Sequence, residues 1–109
     1  MLNAGIMTDE EFADIVKSKD ICVVEFSASW CGPCRLMAPI LEDLSDKYKG
    51  KYFFYQIDID SAENVAARCE IKAVPTIIVY KKGEEVARTT GYQEFDEIER
   101  FLLNAAHNS

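Results

Sequence analysis

Two cysteines separated by two residues are the part of this 109-residue sequence best suited to chemistry. Cys31 and Cys34 enclose Gly32 and Pro33. Such a pair either cycles between dithiol and disulfide or supplies half of a zinc site. A structural zinc site needs about four Cys or His ligands. The other candidates form no second pair: they are Cys22, Cys69 and His107. The pattern therefore favours redox chemistry and no bound metal, with zinc as the alternative.

The flanking residues predict that this pair lies where a strand leads into a helix. Ile21 to Phe26 is almost continuously apolar and β-branched, which is typical of a strand covered on both faces. Apolar residues then recur at helical spacing until Gly50, a suitable helix stop: Leu36, Ile40, Leu41, Leu44 and Tyr48. At the start of that helix, unpaired backbone amides and the helix dipole favour a thiolate at Cys31. We therefore expect Cys31 to attack and Cys34 to resolve.

The two residues inside the motif suit that position. Pro33 has no N–H to leave unpaired in the first helical turn, and its fixed φ stiffens the short ring that an oxidised pair would close. Gly32 keeps the loop small and approachable. We expect both to tune the redox properties of the pair.

The remaining patterns predict helices on both faces of a mixed sheet. A capping-box spacing predicts a first helix over 8–18, and a strand follows over 52–59. Ser61 is placed to cap a short helix. Thr76 to Tyr80 is an interior strand that a turn over 81–84 joins to another over 85–90. A last amphipathic helix around 95–102 lacks a preceding capping residue. The fold class is α/β, a three-layer sandwich, with residues 1–109 in one domain.

Composition restricts the classes of partner. Twelve basic and nineteen acidic residues give a net charge of −7, which argues against binding to nucleic acid or to an anionic membrane surface. No apolar run approaches the roughly 20 residues of a membrane span, and residues 1–7 lack the features of a signal peptide. Four cysteines are too few and too unevenly spaced for a secreted disulfide framework. We expect a cytoplasmic protein whose partners are proteins or small molecules.

Several short motifs resemble the thioredoxin family. Trp30-Cys31-Gly32-Pro33-Cys34 matches the family's signature. The resemblance covers about residues 6 to 106 and includes these further matches in order: Phe26, Pro39, Val74-Pro75-Thr76, Gly83 and Gly91. It implies a thioredoxin fold with four helices and a Cys31–Cys34 disulfide. It also implies a general protein-disulfide reductase that contributes to cell redox homeostasis.

The resemblance also implies how the pair is supplied with electrons. No dinucleotide-binding glycine pattern is present in the sequence, so no bound cofactor is expected. Electrons would come from NADPH through a thioredoxin reductase and pass to disulfide-containing target proteins. We expect the chain to act as a monomer.

Glu25 is the one carboxylate inside the apolar strand, six residues before Cys31. Burial would be costly without a purpose or partner, and it would raise the pKa of this carboxyl toward the range in which it can accept and return a proton. The resemblance implies that it takes the proton of Cys34 through a water, although the family has Asp here. The alternative is a Glu whose head reaches solvent or a nearby Lys. The position of the family's usual Lys is Gln56, so we expect no ion pair.

The resemblance further implies a docking patch around the Cys31 sulfur. Val74-Pro75 would be a cis peptide facing the dithiol, with backbone groups of Val74 open to an extended segment of the substrate. The alternative is an ordinary trans proline at the start of a strand. The patch would contain Trp30, Gly32, Pro33, Val74, Pro75 and Gly91. For Trp30 the alternative is a place in the core.

Two alternatives to a general reductase remain open from the sequence. A dithiol of higher reduction potential would make the protein an oxidase or isomerase, although Gly32-Pro33 favours the reductase. A binding module could use the redox pair only to switch docking. Cys22 and Cys69 are interpreted as small buried apolar residues, with a regulatory thiol as the alternative for Cys69.

Overall fold

A computed structural model describes residues 2–107, which fold around one five-stranded sheet. The strands are β1 (Gly5–Ile6), β2 (Ile21–Ser27), β3 (Phe53–Asp58), β4 (Thr76–Lys81) and β5 (Glu84–Thr90). The helices are α1 (Phe12–Ser18), α2 (Gly32–Lys47), α3 (Glu63–Arg68) and α4 (Phe95–His107). The sheet order is β1-β3-β2-β4-β5. β1, β3 and β2 are parallel, whereas β4 runs antiparallel to both β2 and β5. The predicted mixed sheet with four helices is confirmed.

The two faces of the sheet carry separate cores, which explains the unbroken apolar sequence of its central strands. Ile21 and Val23 of β2 pack with apolar residues of α2 and α4, among them Leu41 and Leu102. The intervening residues of β2 pack on the other face with Val16 of α1 and Val65 of α3: they are Cys22, Val24 and Phe26. Successive side chains of a strand point to opposite faces, so both sets must be apolar when both faces are covered. The three-layer arrangement is thereby confirmed.

The first helix begins later than predicted. It starts at Phe12, because the expected capping box is only partly formed. The backbone N–H and the hydroxyl of Thr8 both donate to the Glu11 carboxylate, at 3.1 and 2.9 Å, but Thr8 caps no helical amide. Asp9 is used elsewhere: its carboxylate accepts the backbone N–H of Val65 at 2.9 Å. The prediction of a helix from residue 8 was therefore wrong by one turn.

The same contact corrects the prediction for α3. Ser61 does not cap this helix, which has Ala62 at its N-cap and no side-chain hydrogen bond from that residue. Asp9, more than fifty residues earlier in the chain, supplies the acceptor instead. The short strand β1 was not predicted either. Two residues are too few to show an alternating pattern, and they are recognised as a strand only by their pairing with β3.

The remaining boundaries agree with the prediction to within one or two residues, apart from the last helix, which continues to His107. The β4–β5 hairpin turns through Lys82 and Gly83, with φ of 52° and 89°. Two positive φ values in a two-residue loop are typical of a type I′ turn. No helix in residues 2–107 is long and apolar enough to cross a membrane.

Candidate functional site

The cysteine pair lies at the N-terminus of α2, as the sequence predicts. Cys31 is the N-cap residue, with extended backbone, and Pro33 lies in the first turn. Cys31 and Cys34 are joined by a disulfide, with their Cα atoms 5.3 Å apart. The backbone N–H of Cys34 donates to Sγ of Cys31 at 3.1 Å. A helix of 16 residues therefore directs its N-terminal amides and dipole at this sulfur, which favours a negative charge there.

The segment before β4 lies against the Cys31 sulfur. Sγ of Cys31 is 3.7 Å from the carbonyl oxygen of Val74, and Val74 packs against the small cluster that contains both cysteines. The Val74–Pro75 peptide is cis, so the alternative of a trans proline is wrong. Two contacts fix this segment: the hydroxyl of Thr76 donates to the carbonyl of Ala73 at 2.7 Å, and the N–H of Gly91 donates to the carbonyl of Pro75 at 2.8 Å.

Trp30, which precedes Cys31, is exposed to solvent. Its side chain is 63% exposed, so the alternative of a core tryptophan is wrong. The indole N–H donates to Asp60 at 2.9 Å, which fixes the orientation of the ring. Pro33 is exposed, whereas Gly32, Val74 and Gly91 are half-buried and Pro75 is buried. The pair itself is only 4% exposed at each cysteine, so a partner must approach closely to reach it.

Sequence reasoning missed Asp60. The available signal was the position of two acidic residues: Asp58 is the last residue of β3, and Asp60 follows two positions later. β3 is parallel to β2. The carboxyl ends of neighbouring parallel strands meet at one edge of a sheet, and the Trp30 corner follows β2 at that edge. An acidic residue there is a candidate partner for the indole N–H.

Glu25 is buried beneath α2, with 2% exposure. Its Oε1 accepts a hydrogen bond from Nε2 of Gln56 at 3.0 Å, whereas its Oε2 has no partner within the described residues. The alternative of a head reaching solvent or Lys is therefore wrong. Burial raises the pKa of the Glu25 carboxyl to about 7, and the hydrogen bond from Gln56 partly opposes that rise. A carboxyl with this pKa can accept and return a proton near neutral pH.

Glu25 and Cys34 line two different cavities, each of about 240 Å³. The Glu25 cavity lies between β1 and α2 and is lined by Leu2, Gly5, Ile6, Ala38, Leu41, Glu42 and Gln56. The Cys34 cavity is lined by Ser27, Ala28, Ser29, Arg35, Ala38, Gln56 and Asp58. Gln56 and Ala38 line both. They are therefore placed between the buried carboxyl and the second cysteine.

The two other cysteines lie away from the pair. Cys22 is buried in β2, where burial raises the pKa of its thiol to about 12, so it is unreactive near neutral pH. Its interpretation as a small core residue is confirmed. Cys69 is half-buried at the end of α3, with Sγ 3.5 Å from the hydroxyl of Tyr80. Within residues 2–107, no three His, Cys, Asp or Glu side chains come together as a metal site would require.

Comparison with known proteins agrees with this geometry. The sequence model of the family described as thioredoxin matches residues 3–104. A thioredoxin of Staphylococcus saprophyticus is 41% identical over 87 residues, which are 80% of this chain and 83% of the relative. The chain belongs to the thioredoxin family. A thioredoxin of Staphylococcus aureus is 38% identical over 96 residues, covering 88% of this chain and 91% of the relative.

Solved thioredoxin structures share the fold. The Plasmodium falciparum thioredoxin superposes with a TM-score of 0.86 at 32% identity, covering 92% of this chain and 97% of that one. A mutant thioredoxin from Halobacterium salinarum gives a TM-score of 0.83 at 25% identity, covering 94% of this chain and 89% of that one. Membership of the thioredoxin family makes this chain a protein-disulfide oxidoreductase with Cys31–Cys34 as its redox-active pair.

Proposed function

We propose that the two cysteines act in a fixed order, with Cys31 as the nucleophile and Cys34 as the resolving thiol. The hydrogen bond from the Cys34 amide to Sγ of Cys31 is the observation that carries this assignment. It acts together with the dipole of α2 to favour a thiolate on Cys31. Sγ of Cys31 also faces the Val74 carbonyl, whereas Cys34 lines a cavity whose lining includes Gln56.

The reaction then consists of two successive thiol–disulfide exchanges. The Cys31 thiolate attacks a sulfur of the target disulfide, which forms a mixed disulfide and releases the other target sulfur as a thiolate. Cys34 gives its proton to Glu25, and its thiolate attacks Sγ of Cys31. The Cys31–Cys34 bond forms, the mixed disulfide breaks, and the second target sulfur leaves as a thiolate. The target is reduced by two electrons and the pair is oxidised.

The docking surface in this proposal surrounds Cys31. Trp30 and Pro33 offer exposed apolar surface next to Cys31 in the chain, and the carbonyl of Val74 lies 3.7 Å from its sulfur. Backbone groups of Val74 would pair with an extended segment of the target, as in strand addition. Gly91 takes part indirectly, since its N–H is already used on the Pro75 carbonyl. Its role would be to hold the segment that contacts the target.

Turnover requires a reductant for the oxidised pair. We assign that role to a thioredoxin reductase fed by NADPH, with disulfide-containing proteins as targets. A cytoplasmic location fits, because two of the four cysteines, Cys22 and Cys69, remain free while the reactive pair is bonded. We also propose that residues 1–109 act as one domain, since a single sheet contains every strand of residues 2–107.

The proposal is tested by NADPH-coupled reduction of a protein disulfide with a thioredoxin reductase. Cys31→Ser is expected to abolish reduction, and Cys34→Ser to abolish turnover while accumulating mixed disulfides with targets. Cys69→Ser is the matched control, because it removes a half-buried thiol away from the pair, and it should retain wild-type activity. Reduction that survives in Cys31→Ser, or mixed disulfides that form through Cys34, would overturn the assigned order.

A further inference from the structure

One polar side chain is shared by the surroundings of Cys34 and of Glu25. The two groups line separate cavities, and only Gln56 and Ala38 belong to both linings. Ala38 is a small apolar residue of α2 and carries no polar side-chain group. Among the described residues, the only polar side chain common to both cavities is therefore the carboxamide of Gln56.

Strand register holds Gln56 in this place. Gln56 of β3 is paired with Glu25 of β2 on one side and with Ile6 of β1 on the other. Its side chain is half-buried and points the same way as that of Glu25, so Nε2 reaches Oε1 at 3.0 Å. A neutral amide supplies a hydrogen bond without a charge. The carboxyl is thus held in place but is not drawn into an ion pair.

The contact makes the two carboxyl oxygens of Glu25 unequal. Oε1 is occupied by Gln56, and Oε2 is buried without a partner in the described residues. An N–H of Gln56 already points at Oε1, where an added proton would face it, so Oε2 is the more favourable place for a proton. Cavities of about 240 Å³ have room for water that could link this oxygen to Cys34.

We infer that Gln56 is a positioning residue for proton transfer from Cys34 to Glu25. It holds Oε1, leaves Oε2 to receive the proton, and forms the polar part of the lining that the two cavities share. The inference rests on the role of Glu25 in the proposed function. The proton leaves Sγ of Cys34 and ends on Oε2 of Glu25, so the thiol becomes a thiolate as the carboxylate becomes a carboxylic acid.

Besides Glu25, three charged side chains of the described residues line the two cavities. Glu42 of α2 lines the Glu25 cavity, and Arg35 and Asp58 line the Cys34 cavity. β1 contributes Gly5 and Ile6, and β4 places Ile77 beside Glu25, so neither adds a charge there. Substitutions at Gln56 leave these groups in place. Any change in pH dependence then reports on the contact between Gln56 and Glu25.

The test uses two opposite substitutions of Gln56. Gln56→Leu removes a hydrogen bond that favours the carboxylate, and should raise the pH midpoint of the resolving step by about one unit. Gln56→Lys places a positive charge beside the carboxylate, and should lower that midpoint by about one unit or more. The reduced protein is mixed with an aromatic disulfide, and release of the second thiol is followed by stopped-flow absorbance from pH 5 to pH 9. Carbon-13 NMR of the Glu25 carboxyl gives its pKa independently.

Two controls separate this inference from the proposed function. Gln93→Leu removes the other glutamine side chain that the structure shows hydrogen-bonded, and it should leave the midpoint unchanged because Gln93 lines neither cavity. In a Glu25→Gln background the Gln56 substitutions should no longer shift the profile.

Three outcomes would overturn the inference. If Glu25→Gln removes the pH dependence but both Gln56 variants keep the wild-type midpoint, Gln56 has no such role while that of Glu25 stands. If the shifts persist in the Glu25→Gln background, Gln56 acts on another group. If Glu25→Gln keeps the wild-type profile, the role of Glu25 fails and the inference fails with it.

Discussion

Glu25 is the residue at which the proposed chemistry conflicts with the stability of the fold. Its neighbours in β2 are all buried, and a carboxylate among them loses its hydration for a single hydrogen bond from Gln56. The raised pKa follows from that burial. The burial that would suit the carboxyl to the proposed proton transfer therefore opposes folding whenever the group is ionised.

This conflict predicts how stability depends on pH. Below pH 4.5 Glu25 is protonated in both the folded and the unfolded chain. Between pH 4.5 and about 7 the unfolded chain releases the proton while the folded chain keeps it, so the free energy of unfolding falls as the pH rises. Glu25→Gln avoids this loss. The free energy of unfolding of Glu25→Gln, relative to that of the wild type, should rise with pH through this range. The difference should level off above pH 7 at up to about 3 kcal/mol.

Urea unfolding of both proteins at pH 4 and pH 8 measures the difference. Glu84→Gln is the matched control, because Glu84 is an exposed carboxylate at the start of β5 and should show no comparable gain. Equal differences between wild type and Glu25→Gln at the two pH values would show that the carboxyl is not held in a desolvated state.

At the scale of elements, the β4–β5 hairpin shows how one glycine fits two constraints. Gly83 has φ of 89°, and a Cβ atom built on it would lie 2.8 Å from Cγ of Lys17 in α1. Gly50 has a similar φ of 85°, but a Cβ there would meet nothing within 4 Å. The two glycines therefore share the backbone requirement and differ in the contact.

We predict that Gly83→Ala destabilises the protein more than Gly50→Ala does. Both substitutions should cost about 1 to 2 kcal/mol for a side chain in the left-handed region. Gly83→Ala must in addition displace the Lys17 side chain, and Lys17→Ala should remove that extra cost. Thermal or urea unfolding of Gly83→Ala, Gly50→Ala, Lys17→Ala and the Gly83→Ala/Lys17→Ala double variant gives the comparison. An equal loss in Gly83→Ala and Gly50→Ala would exclude a role for the Lys17 contact.

Elements with strong local patterns were the ones the sequence could predict. β2 and β4 are unbroken apolar strands because both faces are covered, and α2 has apolar residues on one side over four turns. The motif at Cys31 indicated its own position at a helix start. The failures lie where a distant residue decides the local structure. Asp9 caps α3 from across the fold, and β1 exists only through its pairing with β3.

The same distinction between local patterns and contacts from distant residues applies to the site. Cys31, Cys34 and the burial of Glu25 could be predicted, since each depends on a local pattern within β2 and α2. The partner of Glu25 could not be derived from local pattern, because Gln56 meets it through the β2–β3 register. The bond between Trp30 and Asp60 also joins residues thirty positions apart. Contacts of this kind depend on topology rather than on local sequence.

At the scale of the whole molecule, the segment from Leu2 to Ile6 helps to enclose the Glu25 carboxyl. Leu2, Gly5 and Ile6 line the cavity that contains the Glu25 carboxyl. Asn3 fastens this segment to α2 and β3: its Nδ2 donates to the carbonyls of Ser45 and Tyr52 at 2.8 and 3.1 Å, and its Oδ1 accepts the N–H of Phe54 at 3.0 Å. One amide side chain therefore joins three parts of the fold.

Asn3→Ala should consequently affect both stability and the site. It leaves two carbonyls and one N–H without their partner, which should lower the free energy of unfolding by about 2 kcal/mol. It should also loosen β1, admit water to the Glu25 cavity and lower the pKa of that carboxyl from about 7 toward its ordinary 4.5, because desolvation is the main cause of the rise. Urea unfolding and carbon-13 NMR titration of Glu25 measure the two effects. Asn104→Ala, on the exposed side of α4, should change neither. If Asn3→Ala lowers stability but leaves the Glu25 pKa at about 7, then the burial of this carboxyl depends on β2, β3 and α2 and the N-terminal segment does not control it.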